Sequence, residues 1–151
     1  MVDLIQAYEN YLTKVKQASS NTVSSYLRDI RQFVDWLQQK EGQGVLDASQ
    51  FNISDYLADL QKAGKSGSTV SRVLASLKNF YAYLISSGFL EESPVSGEIH
   101  IDRGEKKLPQ ILTGKEVELL LAQPGNSDTK GIRDKAMLEL MYATGMRVTE
   151  L

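Results

Sequence analysis

Apolar residues recur along this chain at intervals of three and four, the spacing of a single helix face. Leu4, Tyr8, Tyr11, Leu12 and Val15 form a first stripe, and Asp3 stands before it as a capping residue. A clearer stripe follows in Val23, Tyr26, Leu27, Ile30, Phe33, Val34 and Leu37, with Ser19 or Ser20 at its start and Trp36 beside it. Ile53, Tyr56, Leu57 and Leu60 predict a shorter helix that stops at Gly64. Asn52 and Asp55 are spaced there like a capping box. After the polar turn Lys65-Ser66-Gly67-Ser68, a helix from about Thr69 to Ser86 turns Val70, Val73, Leu74, Leu77, Tyr81, Leu84 and Ile85 inward.

The pattern then lapses. Residues 88–109 hold Gly88, Pro94, Gly97, Gly104 and Pro109 without sustained periodicity, which marks a linker. Thr113 with Glu116 opens the next helix as a capping box, and Val117, Leu119, Leu120 and Leu121 give it an apolar side. Ile132, Ala136, Met137, Leu140 and Met141 predict a closing helix that Gly145 ends in the left-handed conformation. The chain reads as all-α.

Composition adds mainly exclusions. With 42% hydrophobic and 24% charged residues among 151, the chain is an ordinary soluble globular sequence. It has no Cys, hence no disulfide framework or thiolate metal site, and no apolar run of membrane-spanning length. His100, the one histidine, has no partner at metal-ligand spacing. A net charge of −2 is unusual for a nucleic-acid binder, so any such face must be local.

Three polar stretches are candidates for that face. The second helix shows Ser24, Ser25, Arg28, Arg31 and Gln32 away from its stripe. The fourth shows Ser68, Ser71, Arg72, Ala75, Lys78, Asn79 and Ala82, where small residues permit close approach and the basic ones suit phosphates. Arg103, Lys106 and Lys107 form a small basic group in the linker. On spacing alone a solvated surface is the default meaning of each. Arg147 follows Gly145, and Thr149-Glu150-Leu151 looks like a new first turn. The Arg147 guanidinium is then near a helix N-terminus, where an anion is favoured.

The segment GIRDKAMLELMYATGMRVTEL, residues 131–151, resembles the tyrosine recombinase (phage integrase) family, and within it the bacterial XerC and XerD type. The resemblance continues through KKLPQILTGKEVELLL, STVSRVLASLKNFYAYL and SSNTVSSYLRDIRQFVDWL, in family order over essentially the whole chain. It implies a four-helix, SAM-like core-binding domain at residues 1–98, a linker at 99–109, and the start of a catalytic domain at 110–151. It makes Arg147 the first catalytic arginine. It also favours the DNA-facing reading of Arg28, Arg31, Ser68, Ser71, Arg72, Lys78, Lys106 and Lys107.

In that family a tyrosine attacks a DNA phosphodiester, giving a 3′-phosphotyrosine and a free 5′-hydroxyl, with neither ATP nor metal. The implied cofactor set is therefore empty. The implied partners are a double-stranded recombination site, further subunits in a tetramer on DNA, and a DNA translocase, all in the cytoplasm. The hairpin lysine, the H-x-x-R box and the nucleophile of the family pattern lie past Leu151. None of the seven tyrosines here stands at a nucleophile position, so the 151-residue chain is expected to be inactive by itself. Xer-type chromosome-dimer resolution is the implied task. A mobile-element integrase, a non-catalytic helical DNA-binding module and a helical protein-interaction domain are the alternatives.

Overall fold

A computed structural model describes residues 3–95, 99, 110–125 and 127–151. These form helices and turns, with no strand among them: α1 (Leu4–Asn10), a π-helical turn (Tyr11–Val15), α2 (Ser20–Glu41), α3 (Gln50–Lys62), α4 (Gly67–Ser86), α5 (Gly114–Leu121) and α6 (Thr129–Thr144). The chain divides into two compact units, Met1–Lys106 and Lys107–Leu151.

The first unit is a helical bundle built around the pairing of α2 with α4, with α1 and α3 packed against it. Ile30, Phe33 and Leu37 of α2 are fully buried, as are Val70, Leu77, Phe80, Tyr81 and Leu84 of α4. Tyr8 of α1 meets Phe80 edge-on with ring centroids 5.1 Å apart, and Phe33 meets Tyr56 of α3 at 5.1 Å. Such aromatic pairs add directional preference to the burial that drives assembly.

Local chemistry sets the helix ends. The Asp3 carboxylate accepts from the Ile5 and Gln6 N–H groups, and Ser19 Oγ accepts from Thr22 N–H. α3 begins earlier than expected: Ser49, not Asn52, is its cap, and Asn52 is the reciprocal partner, its Oδ1 accepting from Ser49 N–H at 2.8 Å. Phe51 hid this start from the pattern, because it lies in the first turn yet is exposed. α4 likewise starts at Gly67, capped by Ser66, so Ser68 belongs to its first turn.

Val15 departs from its stripe and is 68% exposed. The π turn is the reason. Lys16 N–H bonds to Tyr11 O and Ala18 N–H to Leu12 O, widening the helix and rotating Val15 off the buried side. Leu90 and Ile99 pack on the core and Val95 is buried in it, so residues 88–95 belong to the first unit and not to a free linker.

The second unit packs α5 against α6. Thr113 and Glu116 form the expected capping box, with Thr113 N–H donating to Glu116 Oε2 at 2.7 Å. The apolar stripes of both helices were expected to be buried, and they are not: Leu119 is 64%, Ile132 56% and Leu140 44% exposed. Two helices of this length make one contact layer and leave their other sides uncovered.

Candidate nucleic-acid interface

The strips nominated on α2 and α4 follow from the packing just described. Once one side of each helix is buried, Arg28, Arg31, Gln32, Ser68, Arg72, Ala75, Lys78, Asn79 and Ala82 remain exposed. Ser71 differs from its neighbours, because its Oγ is buried and has no hydrogen-bond partner among the described residues. It therefore offers no surface donor, unlike Ser68.

The four basic side chains on these strips are not equivalent. Arg28 and Lys78 have no ion-pair partner among the described residues. Exposed Arg31 lies 4.0 Å from half-buried Glu9, a weakly held pair. Arg72 is different in kind. Its Nη1 donates to Oδ2 of Asp29, a carboxylate only 1% exposed. The same oxygen accepts from Ser76 Oγ at 2.7 Å, and Ser76 is itself fully buried.

Asp29 and Ser76 were not singled out in the sequence, although both occupy inward phases of otherwise apolar helix rows. A charged and a hydroxyl residue at core positions of two helices that pack together was the available signal. Burying the carboxylate is tolerable only because both partners satisfy it.

At the other end of α2, Lys40 donates to Asp55 at 2.6 Å and to Asp59 at 3.1 Å. Trp36 Nε1 also donates to Asp59, and Lys40 lies 4.9 Å from the centre of the Trp36 ring. Hydrogen bonds from Lys40 and then Trp36 lower the Asp59 carboxyl below its ordinary range, and the bonds to Asp55 and Asp59 raise Lys40. This network ties α2 to α3 and accounts for those charges structurally.

Arg147 lies past α6 as expected. Gly145 takes φ +69° at the helix C-cap, and its N–H closes on Met141 O at 2.8 Å. Glu150 N–H then bonds to Arg147 O at 2.8 Å, so Arg147 heads a single turn. The Glu150 carboxylate receives Arg147 N–H at 2.7 Å and Arg147 Nη1 at 3.3 Å. The Arg147 side chain is 82% exposed. The helix-start donors foreseen for an external anion are thus partly engaged by the chain's own carboxylate.

Burial raises Tyr8 and Tyr81 well above the ordinary phenol range and Tyr56 to about 12. Tyr142 is exposed on α6. Among the described residues no three His, Cys, Asp or Glu side chains group as a metal site, and no helix is long and apolar enough to cross a membrane. A shallow cavity of about 370 Å³ beside α1 is lined by Tyr8, Tyr11, Tyr26, Tyr83 and Lys16 among others. His100, Arg103, Lys106 and Lys107 lie outside the described residues.

Residues 5–88 match the family model of the phage integrase N-terminal SAM-like domain, and residues 110–151 match that of the phage integrase family. The chain is 38% identical to the tyrosine recombinase XerD of Listeria innocua over 152 residues, covering all of this chain and 51% of that protein. It is 37% identical to the tyrosine recombinase XerC of Roseiflexus sp., covering 100% of this chain and 48% of the relative. XerD of Shewanella oneidensis is 38% identical over 98% of this chain and 49% of its own length. The chain thus spans about half the length of these relatives. Its fold is similar to that of the Tn1549 transposon integrase solved with a circular intermediate DNA, with a TM-score of 0.65 over 98% of this chain and 46% of the other, at 17% identity.

Proposed function

Since this chain belongs to the phage integrase family of tyrosine recombinases, we propose that it is the DNA-clamping region and the first catalytic segment of a site-specific recombinase of the Xer type. Residues 1–98 serve as the core-binding domain, 99–109 as the connection, and 110–151 as the opening of the catalytic domain. The substrate is a double-stranded recombination site in the cytoplasm, engaged with further subunits. The task is chromosome-dimer resolution, in which a tyrosine elsewhere in the protein forms a 3′-phosphotyrosine and releases a 5′-hydroxyl.

The observation that carries this reading is the placement of Arg147. The left-handed Gly145 stops α6 and turns the chain, so that a guanidinium stands exposed at the head of a new turn, oriented by Glu150. In strand cleavage the scissile phosphate gains charge on its non-bridging oxygens. A planar fork of donors aimed at two of them lowers that barrier, and an Arg suits this better than a Lys. The exposed α2 and α4 strips would meanwhile hold the duplex. Arg28, Arg31, Lys78 and, in the linker, Lys106 and Lys107 meet backbone phosphates, while Ser68 and Arg72 face the groove. The relatives named tyrosine recombinase XerD and XerC, at 37–38% identity, support the Xer-type reading.

The test uses the natural protein that carries this segment, with a nicked duplex that traps the covalent intermediate. Wild type should yield a DNA–protein adduct linked through phosphotyrosine. Arg147→Gln should lower its rate of formation by about 100- to 1,000-fold, with duplex affinity nearly unchanged. An unaltered rate in Arg147→Gln would remove Arg147 from the chemistry. Lack of any adduct in wild type, with DNA bound, would leave a DNA-binding module in place of a recombinase.

A further inference from the structure

The geometry points to Arg72 as a guanine-reading side chain, with Asp29 and Ser76 as the positioning residues that make it one. The inference rests on the DNA-facing assignment of the α2 and α4 strips and narrows it, because Arg72 was grouped at first with the phosphate contacts.

Charge argues against a phosphate role. A phosphate contact gains affinity by releasing condensed counterions, which needs a net positive group. The Arg72 charge is already answered inside the fold by the buried Asp29 carboxylate. Arg28 and Lys78, which have no ion-pair partners among the described residues, are the cations that can release counterions.

Geometry argues for base reading. A guanidinium presents five N–H donors in one rigid plane, and Nη1 is committed to Asp29. Asp29 is in turn held by Ser76 Oγ at 2.7 Å, and Ser76 Oγ lies 3.2 Å from Arg72 O. One donor of the guanidinium is therefore anchored at the core. The side chain is still 42% exposed, and its other donors have no hydrogen-bond partner among the described residues. A donor plane fixed before contact matches guanine, whose O6 and N7 are paired acceptors on the major-groove edge. Fixing it in advance also removes the entropy that a free Arg loses on docking.

The surroundings fit. Ala75 and Ser68 flank Arg72 on the same exposed strip, one turn away on either side. Small side chains there let the helix backbone approach the groove floor, where base edges are reached.

The experiment binds the natural protein that carries this segment to a pool of duplexes randomised over their central base pairs and sequences the bound fraction. Salt dependence is then measured on the preferred site. Wild type should select a G·C pair at one position, and 7-deazaguanine placed there should weaken binding. Arg72→Lys keeps the charge pair with Asp29 but loses the fork. It should reduce discrimination at that position alone by about 5- to 150-fold, the range of one bidentate guanine contact, with the salt slope unchanged. Asp29→Asn should reduce discrimination at the same position, and a urea-unfolding midpoint confirms that this variant is folded. Arg28→Ala and Lys78→Ala should instead weaken all sequences alike and lower the salt slope by about 0.9 each.

A uniform loss with a shallower salt slope in Arg72→Lys would make it a phosphate contact and overturn the proposal. Unchanged base preference in folded Asp29→Asn would overturn the positioning role. Absence of salt-dependent binding by wild type to any duplex would instead defeat the DNA-facing reading itself.

Discussion

Truncating Arg72 to alanine tests whether the Asp29 pair supports the fold. The variant leaves a carboxylate that is 1% exposed with a single remaining partner, Ser76 Oγ. Removing one member of a buried ion pair costs about 3–5 kcal/mol, because the orphaned charge stays desolvated. Arg72 is itself 42% exposed, so the wild-type pair is only half dry. That places the expected loss near the lower bound, about 3 kcal/mol. Asp29→Asn combined with Arg72→Ala removes the charge together with its partner and leaves a buried amide beside Ser76. This double variant should lose only about 1 kcal/mol, a neutral hydrogen bond's worth. Relative to Arg72→Ala alone, the double variant should therefore recover about 2 kcal/mol.

Urea unfolding followed by Trp36 fluorescence reads this directly. Trp36 is the single tryptophan, and it sits half-buried against Phe33 and Tyr56 within the first unit. With a slope of about 2 kcal/mol per molar urea, Arg72→Ala should lower the midpoint by about 1.5 M, and the double variant by about a third of that. A single-variant shift under 0.5 M, or a double variant no better than the single, would refute the reasoning. Water would then reach Asp29, and Arg72 would have no rigid anchor.

Other parts of the molecule give further expectations. Gly131→Ala should destabilise α6 by about 1–3 kcal/mol despite alanine's better helix propensity. Its Cβ would overlap the Gly125 carbonyl oxygen, and loss of far-UV helical signal on mild heating would show it. Thr113→Ala should cost the α5 start about 1 kcal/mol, read by the same signal. Asp59 has a depressed carboxyl in the folded state. Its contribution is present above the unfolded value and lost as pH falls through the folded one. An Asp59→Asn chain should therefore show a flatter acid limb in a stability–pH profile. Tyr56 is raised from 10.0 to about 12 chiefly by burial. Below pH 10 both states keep that proton, so stability should decline as pH rises from 10 toward 12, and Tyr56→Phe should lessen the decline.

The helices were legible because burial repeats at the helical period, and Leu27, Ile30, Phe33 and Leu37 are as buried as their spacing requires. The caps at Asp3, Ser19 and Thr113 were legible because short oxygen-bearing side chains there leave the backbone few alternatives. Ser49 was missed because the apolar Phe51 sits in its first turn and points to water, which no periodicity rule anticipates. The rotation of Val15 was equally hidden, since one extra residue in a π turn leaves no mark in composition. The turn at Gly145 was readable, but the closure of Glu150 onto Arg147 was not, because it depends on which rotamer the glutamate selects.

The acidic net charge counted against DNA binding when every charge was weighed alike. Position within the fold changes that weighing. Asp29 is buried against Arg72, while Asp55 and Asp59 are engaged by Lys40 between α2 and α3. Those carboxylates satisfy cations that hold helices together, and they do not offset Arg28 and Lys78 on the open strip. Over distances longer than about 10 Å salt screens one patch from another, so a duplex lying along α2 and α4 would meet the local charge and not the total. The same assignment makes Asp29 the one carboxylate whose loss would alter both stability and base preference, whereas loss of Asp55 would alter stability alone. A chain in which Asp55→Asn changed the selected DNA sequence as strongly as Asp29→Asn would contradict this division.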